Sequence, residues 1–195
     1  MAAGTRVPLA EAQVLADELR TLLQPVCLQI EVAGSIRRQR PDVADIELLA
    51  IPLWQARFDL FGESNQPPIS QLELLCQDLI DDGTFGIRHA NGAKYKALRF
   101  KGIPVDLFTA DPHNWGLLFA IRTGPALWSK RLVTEQRYGG WLPGHLQVKD
   151  GHLWRRDPDK TRDVGRDNMI PVPNEAALFK MLARPFQRPE ERFDP

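Results

Sequence analysis

Acidic residues inside two apolar, strand-like segments constrain this chain more than any other feature of its sequence. Residues 45–51, DIELLAI, carry Asp45 and Glu47 two positions apart, and residues 103–109, IPVDLFT, carry Asp106. Side chains two apart on a β-strand point to the same face of the sheet. Carboxylates converging on one face repel one another unless cations join them, and hard oxygen ligands suit Mg²⁺ or Mn²⁺. The pattern therefore indicates a metal site on a β-sheet, with solvated strand residues as the alternative.

The apolar pattern along the rest of the chain predicts an α+β fold. A leucine- and alanine-rich helical face runs through residues 8–24 and ends at Pro25, which cannot continue a helix. An Asp-Gly pair between apolar alternations predicts a hairpin at 146–154. The other expected elements are strands at 28–33, 45–51, 94–100 and 103–109, a loop over 52–68, and helices at 69–82, 114–122, 126–138 and 175–183. The expected fold class is mixed α/β of the α+β type, with a mixed β-sheet flanked by helices.

Length and composition narrow the class of protein. A chain of 195 residues with 43% hydrophobic content is expected to form one domain or two small ones around a buried core. No apolar run approaches the roughly 20 residues of a membrane-spanning helix. The N-terminus lacks the apolar stretch of a secretion signal, so we expect an intracellular, cytoplasmic protein. Cys27 and Cys76 have no zinc-ligand spacing and are predicted to be reduced thiols in apolar surroundings.

A second motif, GSIRR at residues 34–38, follows the first predicted strand. A Gly34-Ser35 turn that leads into a helix offers backbone N–H groups to an anion. Arg37 and Arg38 can add charge-assisted hydrogen bonds to a phosphate. A phosphate site followed by a metal-binding carboxylate pair is what two-metal phosphoryl transfer requires. The order of the two motifs therefore favours the metal-site interpretation of the acidic strands.

Together the motifs resemble the nucleotidyltransferase signature of the polymerase-β superfamily. The Gly-Ser pair, the Asp-x-Glu pair and the later aspartate stand in its order, and GSIRR is similar to the Gly-Ser-x-Arg-Arg motif of X-family DNA polymerases. Similar stretches are GAKYKALRF, LLFAIRTGPALWSKRL and NEAALFKMLARPFQRPEERF, so the resemblance covers most of 28–193. It implies a nucleotidyltransferase palm over 1–112 and a thumb-like nucleotide- and DNA-binding subdomain over 113–195. The expected form is a palm and thumb without the family's lyase and helix-hairpin-helix modules.

The resemblance also implies roles for individual residues. Asp45, Glu47 and Asp106 would be the catalytic residues and would bind two Mg²⁺ or Mn²⁺ ions, with Asp106 orienting or deprotonating the primer 3′-OH. Residues implied to bind the nucleotide and its phosphates are Gly34, Ser35, Arg38, Arg122, Thr123 and Gly124, and those implied to bind DNA are Lys130 and Arg131. Positioning and charge stabilisation would supply most of the catalysis.

The sequence departs from the family pattern at two positions. Glu47 stands where the family usually has Asp, and Ile121-Arg122 replaces the aromatic pair that often precedes Thr-Gly, so the resemblance does not predict the choice of sugar. In the family the peptide bond after this glycine is cis. Proline lowers the cost of a cis bond from about 3 to about 1 kcal/mol, so a cis Gly124–Pro125 bond is predicted.

The predicted function is a small, monomeric X-family-like DNA polymerase that adds dNMP from a dNTP to a primer 3′-OH, in primer-template or gapped DNA, during gap-filling repair. Two alternatives stay open: a nucleotidyltransferase for a tRNA, small-molecule or protein acceptor, and a catalytically silent nucleic-acid-binding module. The formal net charge of +0 combines 11 Lys and Arg against 15 Asp and Glu up to residue 112 with 14 against 10 after it. Positive charge is therefore concentrated in the half expected to hold DNA.

Overall fold

A computed structural model describes residues 6–57, 66–156 and 168–194, apart from the side chain of Gln66. The described residues form two compact units. The first takes those within Met1–Val32 and Arg40–Ala110, and the second takes those within Ala33–Gln39 and Asp111–Pro195. The second unit therefore includes a short segment that the sequence-based division at residue 112 assigns to the first domain. The functional division into palm and thumb stays a prediction.

Helices and strands are numbered in chain order. Those of the first unit are β1 (Val7–Pro8), α1 (Leu9–Leu23), β2 (Cys27–Val32), β3 (Asp42–Val43), β4 (Ile46–Pro52), β5 (Trp54–Arg57), β6 (Gln66–Ser70), α3 (Gln71–Asp81), β7 (Phe85–Asn91), β8 (Tyr95–Phe100) and β9 (Ile103–Thr109). Those of the second unit are α2 (Gly34–Arg37), α4 (Trp115–Thr123), α5 (Ala126–Val133), β10 (Leu146–Lys149), β11 (His152–Arg155), β12 (Met169–Ile170) and α6 (Glu175–Met181).

A five-stranded sheet of order β2-β4-β9-β8-β7 is the centre of the first unit. Strands β4 and β9 are parallel and the other neighbouring strands are antiparallel, so the sheet is mixed, as predicted. β4 is apolar at nearly every position because it is an inner strand buried on both faces. Leu48, Leu49 and Ala50 have no exposed surface. The first acidic segment therefore lies in the most buried strand of the unit.

Helices α1 and α3 each pack one apolar face in the first unit, α1 against β2 and α3 against β7. The helix α3 begins after Ser70, whose Oγ accepts a hydrogen bond from the Glu73 N–H at 3.2 Å. Cys27 and Cys76 are buried free thiols, as predicted. Burial raises the pKa of Cys27 to about 12 and that of Cys76 to about 11. The residues that α1 buries are Ala12, Ala16, Leu19 and Leu23.

The second unit packs α4, α5, α6 and the sheet β10-β11-β12 around a separate apolar core. Helix α6 begins after Asn174, whose Oδ1 accepts a hydrogen bond from the Ala177 N–H at 2.9 Å. Trp128 and Trp141 meet edge to face with ring centroids 5.2 Å apart. The core residues are Leu117, Ala120, Trp128, Leu132, Trp141, Leu142, Leu146, Leu153, Val172, Leu178, Phe179 and Leu182. The predicted hairpin at 146–154 is confirmed as β10 and β11.

The structure corrects two of the predicted elements and adds a strand that was not predicted. The expected loop over 52–68 carries the paired strands β5 and β6 at its ends, and its centre, 58–65, lies outside the described residues. β7 has no predicted counterpart. The helix expected over 126–138 ends at Val133, and a 3₁₀ turn follows at Gln136–Tyr138. Among the described residues, no helix combines the length and apolar character needed to cross a membrane.

Candidate active site

The three acidic residues predicted to bind metal lie on, or directly before, the two parallel strands of the first unit. Glu47 of β4 and Asp106 of β9 are paired in register, and Asp45 immediately precedes β4. Paired residues on neighbouring strands have backbones about 4.8 Å apart. Like charges directly opposite each other on neighbouring strands destabilise a sheet. The pairing is therefore costly unless a positive charge lies nearby.

A positively charged side chain, that of Arg88, contacts Asp106 directly. Arg88 Nη1 of β7 lies 3.1 Å from Asp106 Oδ1, and the Tyr95 hydroxyl donates to the same oxygen at 2.9 Å. The Tyr95 ring is held by stacking on Phe108, with centroids 4.8 Å apart. The exposed fractions of the Arg88 and Asp106 side chains are 26% and 18%, so the ion pair is mostly shielded from water.

The carboxylates meet only part of the requirement for a metal site. Their oxygens have the right chemistry for Mg²⁺ or Mn²⁺, and the strand register brings Glu47 and Asp106 together. Within residues 6–57, 66–156 and 168–194, however, no three His, Cys, Asp or Glu side chains are grouped so that they could hold one ion. Asp45, Glu47 and Asp106 therefore do not converge on one point as expected. Asp106 instead contacts Arg88.

The Gly-Ser motif forms α2, a helix of four residues in the second unit. Gly34 has φ of +61°, a left-handed conformation that favours glycine. Ser35 Oγ is buried and accepts or donates no hydrogen bond among the described residues. A buried hydroxyl without a partner is costly and calls for a ligand or water. The phosphate-binding role of Ser35 stays a prediction.

The two arginines of the motif contact the end of α4. The Arg38 guanidinium donates to the Thr123 carbonyl. Arg37 donates to Thr123 Oγ1 at 2.6 Å and to both oxygens of Glu175 at 3.0 and 2.7 Å. The Arg37 guanidinium also lies over the Phe119 ring, 3.7 Å from its centroid. The expectation that Arg37 contacts phosphate is therefore not met, because the structure uses this side chain inside the second unit.

Glu175, the first residue of α6, joins Arg37 to a second arginine. Arg192 Nη1 lies 2.6 Å from Glu175 Oε1, and Arg192 has no exposed surface. Burial by itself would raise the pKa of Glu175, but the hydrogen bonds and charges of the two arginines outweigh burial and hold that pKa below its ordinary value. The carboxylate is therefore ionised and satisfied, in an arginine–glutamate–arginine network.

The predicted nucleotide-binding pair Thr123-Gly124 is internal in this structure. Thr123 has no exposed surface. A Cβ added to Gly124 would lie 2.2 Å from the Trp128 ring, so the glycine is needed for packing. The predicted cis Gly124–Pro125 bond is wrong, since the described residues contain no cis peptide bond. The bond is trans, and Pro125 is the residue directly before helix α5. The Pro125 carbonyl accepts a hydrogen bond from the Ser129 N–H at 2.9 Å, in the first turn of that helix.

The remaining predicted residues lie on helices of the second unit. Arg122 is in the last turn of α4 and is partly buried. Lys130 and Arg131 are exposed on α5. Their exposure leaves both basic side chains available to solvent. Their roles in binding nucleotide and DNA stay predictions.

Sequence reasoning missed four residues of these sites. Arg88 lies in a strand that was not predicted. Tyr95 lies in a predicted strand, but its hydroxyl reaches Asp106 only because β8 and β9 are neighbours, with Tyr95 itself paired to Phe108. Glu175 and Arg192 fall in the closing segment of the chain. In the sequence, Glu175 is marked only as an acidic residue that follows a helix N-cap, and Arg192 only as an arginine near the C-terminus. Neither pattern predicts which residue the side chain contacts.

No protein-family model and no curated protein matches this sequence. The structure does match solved ones, and the class that it defines is the polymerase-β-like fold. One such structure is that of polymerase beta from Leishmania infantum, in a ternary P/T complex, with a TM-score of 0.69. The match covers 97% of this chain and 77% of that chain, at 17% sequence identity. A likeness at this identity establishes the fold.

Proposed function

We propose that this protein is a nucleotidyltransferase, and that it acts as a small X-family-like DNA polymerase. The observation that carries the proposal is the register that places Glu47 beside Asp106 on the parallel strands of a polymerase-β-like sheet. A pair of carboxylates on inner strands is costly for the fold, and metal-dependent phosphoryl transfer gives it a purpose. The GSIRR segment supports the same reaction, since the buried Ser35 Oγ has no hydrogen-bond partner in the part of the chain that the structure describes.

The proposed cofactors are two Mg²⁺ or Mn²⁺ ions, held by Asp45, Glu47 and Asp106. When bound, such ions neutralise the triphosphate and lower the pKa of the attacking hydroxyl. The protein's own contribution would be to hold Glu47 and Asp106 side by side on two neighbouring strands, with Asp45 directly before β4. Asp106 is proposed to orient or deprotonate the primer 3′-OH. Its present contacts with Arg88 and Tyr95 show that the carboxylate is held in one orientation.

The nucleotide is proposed to bind through the second unit. Ser35 Oγ and the Arg38 guanidinium would bind the phosphates, and Gly34 would let the backbone approach them. Arg122, Thr123 and Gly124 were predicted to lie near the nucleotide. Because the Thr123 side chain is buried and bonded to Arg37, its proposed contribution is limited to the backbone.

The proposed second substrate is a primer-template or gapped DNA, bound in part by Lys130 and Arg131. Both side chains are exposed on one helix, α5, where they can reach a phosphate backbone. Gap-filling repair, a monomeric state and a cytoplasmic location belong to the same proposal. The similar Leishmania infantum structure is that of a polymerase in a ternary P/T complex, which supports these substrates by analogy of fold.

Label transfer to a panel of acceptors tests the proposal. The protein is incubated with α-labelled dNTPs and Mg²⁺ or Mn²⁺ on gapped, recessed and single-stranded DNA, and in parallel on tRNA and protein. We expect label on recessed and gapped DNA, with the added base set by the template. Label on RNA or protein alone would replace the polymerase by a nucleotidyltransferase for another acceptor. No transfer to any acceptor would favour a silent nucleic-acid-binding module.

A further inference from the structure

A β-bulge brings Arg88 to the acidic face of the sheet. The β7–β8 register pairs Ile87 with Leu98 and then Ala90 with Ala97, so Arg88 and His89 are extra residues on the edge strand. Bulges re-aim side chains and are common next to active sites. This one directs the Arg88 guanidinium to Asp106 Oδ1 at 3.1 Å. The contact between Arg88 and Asp106 thus depends on an irregularity in the β7–β8 pairing. An ion pair between exposed surface residues would not require such an irregularity.

The Arg88 guanidinium places a positive charge against one of the two carboxylates that are paired in register. Glu47 and Asp106 are paired in register, and both are partly buried. A cation that contacts Asp106 offsets the repulsion between these two carboxylates. A divalent ion bound by the same carboxylates would offset it in the same way. Arg88 and the metal therefore compete for the negative charge of Asp106, because both act on the same carboxylate.

We propose that Arg88 is a resident counter-cation of Asp106. When a divalent ion binds, Arg88 must give up its contact with Asp106, at least in part. Arg88 then sets the metal concentration at which the carboxylates are loaded and holds them together in the metal-free protein. Tyr95 has a different task, since its neutral hydroxyl holds Asp106 Oδ1 in place without competing for charge. This inference rests on the proposed function, because it requires Asp106 to be a metal ligand.

Binding of Mn²⁺ to the full chain, without nucleotide or DNA, tests the proposal by titration calorimetry at fixed ionic strength. Arg88→Gln is expected to bind Mn²⁺ at least about tenfold more tightly than the wild type, because it removes a unit charge close to a divalent ion. Arg88→Lys keeps the charge and is expected to remain within about threefold of the wild type. Tyr95→Phe, which removes a neutral donor, is expected to change the affinity by less than about threefold.

Two further variants make the outcomes distinguishable. Arg20→Gln is the matched control, since Arg20 forms an exposed ion pair with Asp17 on α1 at 3.3 Å, and it should leave Mn²⁺ affinity unchanged. Asp106→Asn should weaken it. If Asp106→Asn weakens binding while Arg88→Gln binds no more tightly than the wild type, the competition is refuted and the metal assignment stands. If Asp106→Asn changes nothing, the metal assignment itself fails.

A measurement on the unmodified protein covers the case in which Arg88→Gln does not fold. The Arg88 Nε–H resonance, assigned by its loss in Arg88→Lys, is followed by NMR as diamagnetic Mg²⁺ is added. We expect it to shift with the same midpoint as metal binding. A resonance that stays in place when the site is saturated with Mg²⁺ contradicts the proposal.

Discussion

The Ser35 hydroxyl allows the stability of the fold and the proposed binding of nucleotide to be tested separately. Its Oγ is buried and has no hydrogen-bond partner among the described residues, so it contributes nothing to the folded state that a methyl group would not. If the atom binds a nucleotide phosphate, its value appears only when nucleotide is present. The residue therefore lends itself to a substitution that affects binding alone.

We expect Ser35→Ala to leave the free energy of unfolding unchanged or slightly higher, and to raise the KM for dNTP by about 10- to 150-fold. One hydrogen bond to a charged group is worth about 1.5–3 kcal/mol, which corresponds to this change. Denaturant unfolding and steady-state kinetics measure the two quantities. A clear loss of stability with unchanged KM would assign Ser35 to the fold instead.

At the scale of elements, the buried network of Arg37, Glu175 and Arg192 joins α2, α6 and the C-terminal segment within the second unit. Removing one partner from a buried ion network leaves the other charges uncompensated. We expect Glu175→Gln to lower the free energy of unfolding by about 3–5 kcal/mol, measured by chemical denaturation. Glu191→Gln, which removes a carboxylate from an exposed pair with Arg188, is the control and should have little effect.

The pH dependence of the same network has a definite sign. The pKa of Glu175 is held below its ordinary value of 4.5, so the unfolded chain takes up the proton first as the pH falls. The stability that this carboxylate contributes is fully present above pH 4.5 and is lost as the pH falls through the lower, folded-state pKa. The acid limb of the unfolding curve should therefore be shallower in Glu175→Gln than in the wild type.

Elements with strong patterning were predictable from the sequence, and those fixed by neighbours were not. The continuous apolar run of β4 and the apolar helical face of α1 were enough to predict that both elements are buried. β7 is an edge strand with exposed residues and a bulge, so no strict alternation indicates it. For the same reason, Asp106 was identifiable as a candidate ligand, whereas its contact with Arg88 was not. Long-range pairing, rather than local propensity, decides such contacts.

For the whole molecule, the opposite net charges of the two sequence halves bear on the proposed binding of DNA. Residues after 112 carry 14 Lys and Arg against 10 Asp and Glu, a modest excess that predicts weak affinity dependent on salt. We expect the logarithm of the affinity to fall linearly with the logarithm of salt concentration, with a slope of about −0.9 per phosphate contacted. Lys130→Gln and Arg131→Gln should each reduce the magnitude of the slope by about 1.

Fluorescence anisotropy of labelled gapped DNA over a range of salt concentrations measures this slope. Arg188→Gln, an exposed arginine engaged with Glu191, is the charge-matched control and should leave the slope unchanged. An equal reduction in all three variants would indicate a nonspecific charge effect and would remove α5 from the DNA-binding surface.

Primer extension on gapped DNA by wild type and Asp106→Asn tests the central claim most directly, namely that Asp106 belongs to a metal-dependent nucleotidyl-transfer site. Asparagine keeps the shape of the side chain but removes its charge, and circular dichroism confirms that the fold is kept. We predict template-directed addition of dNMP by the wild type and a loss of at least about a thousandfold in Asp106→Asn, equivalent to about 4 kcal/mol of barrier. Addition that survives in Asp106→Asn would contradict the account.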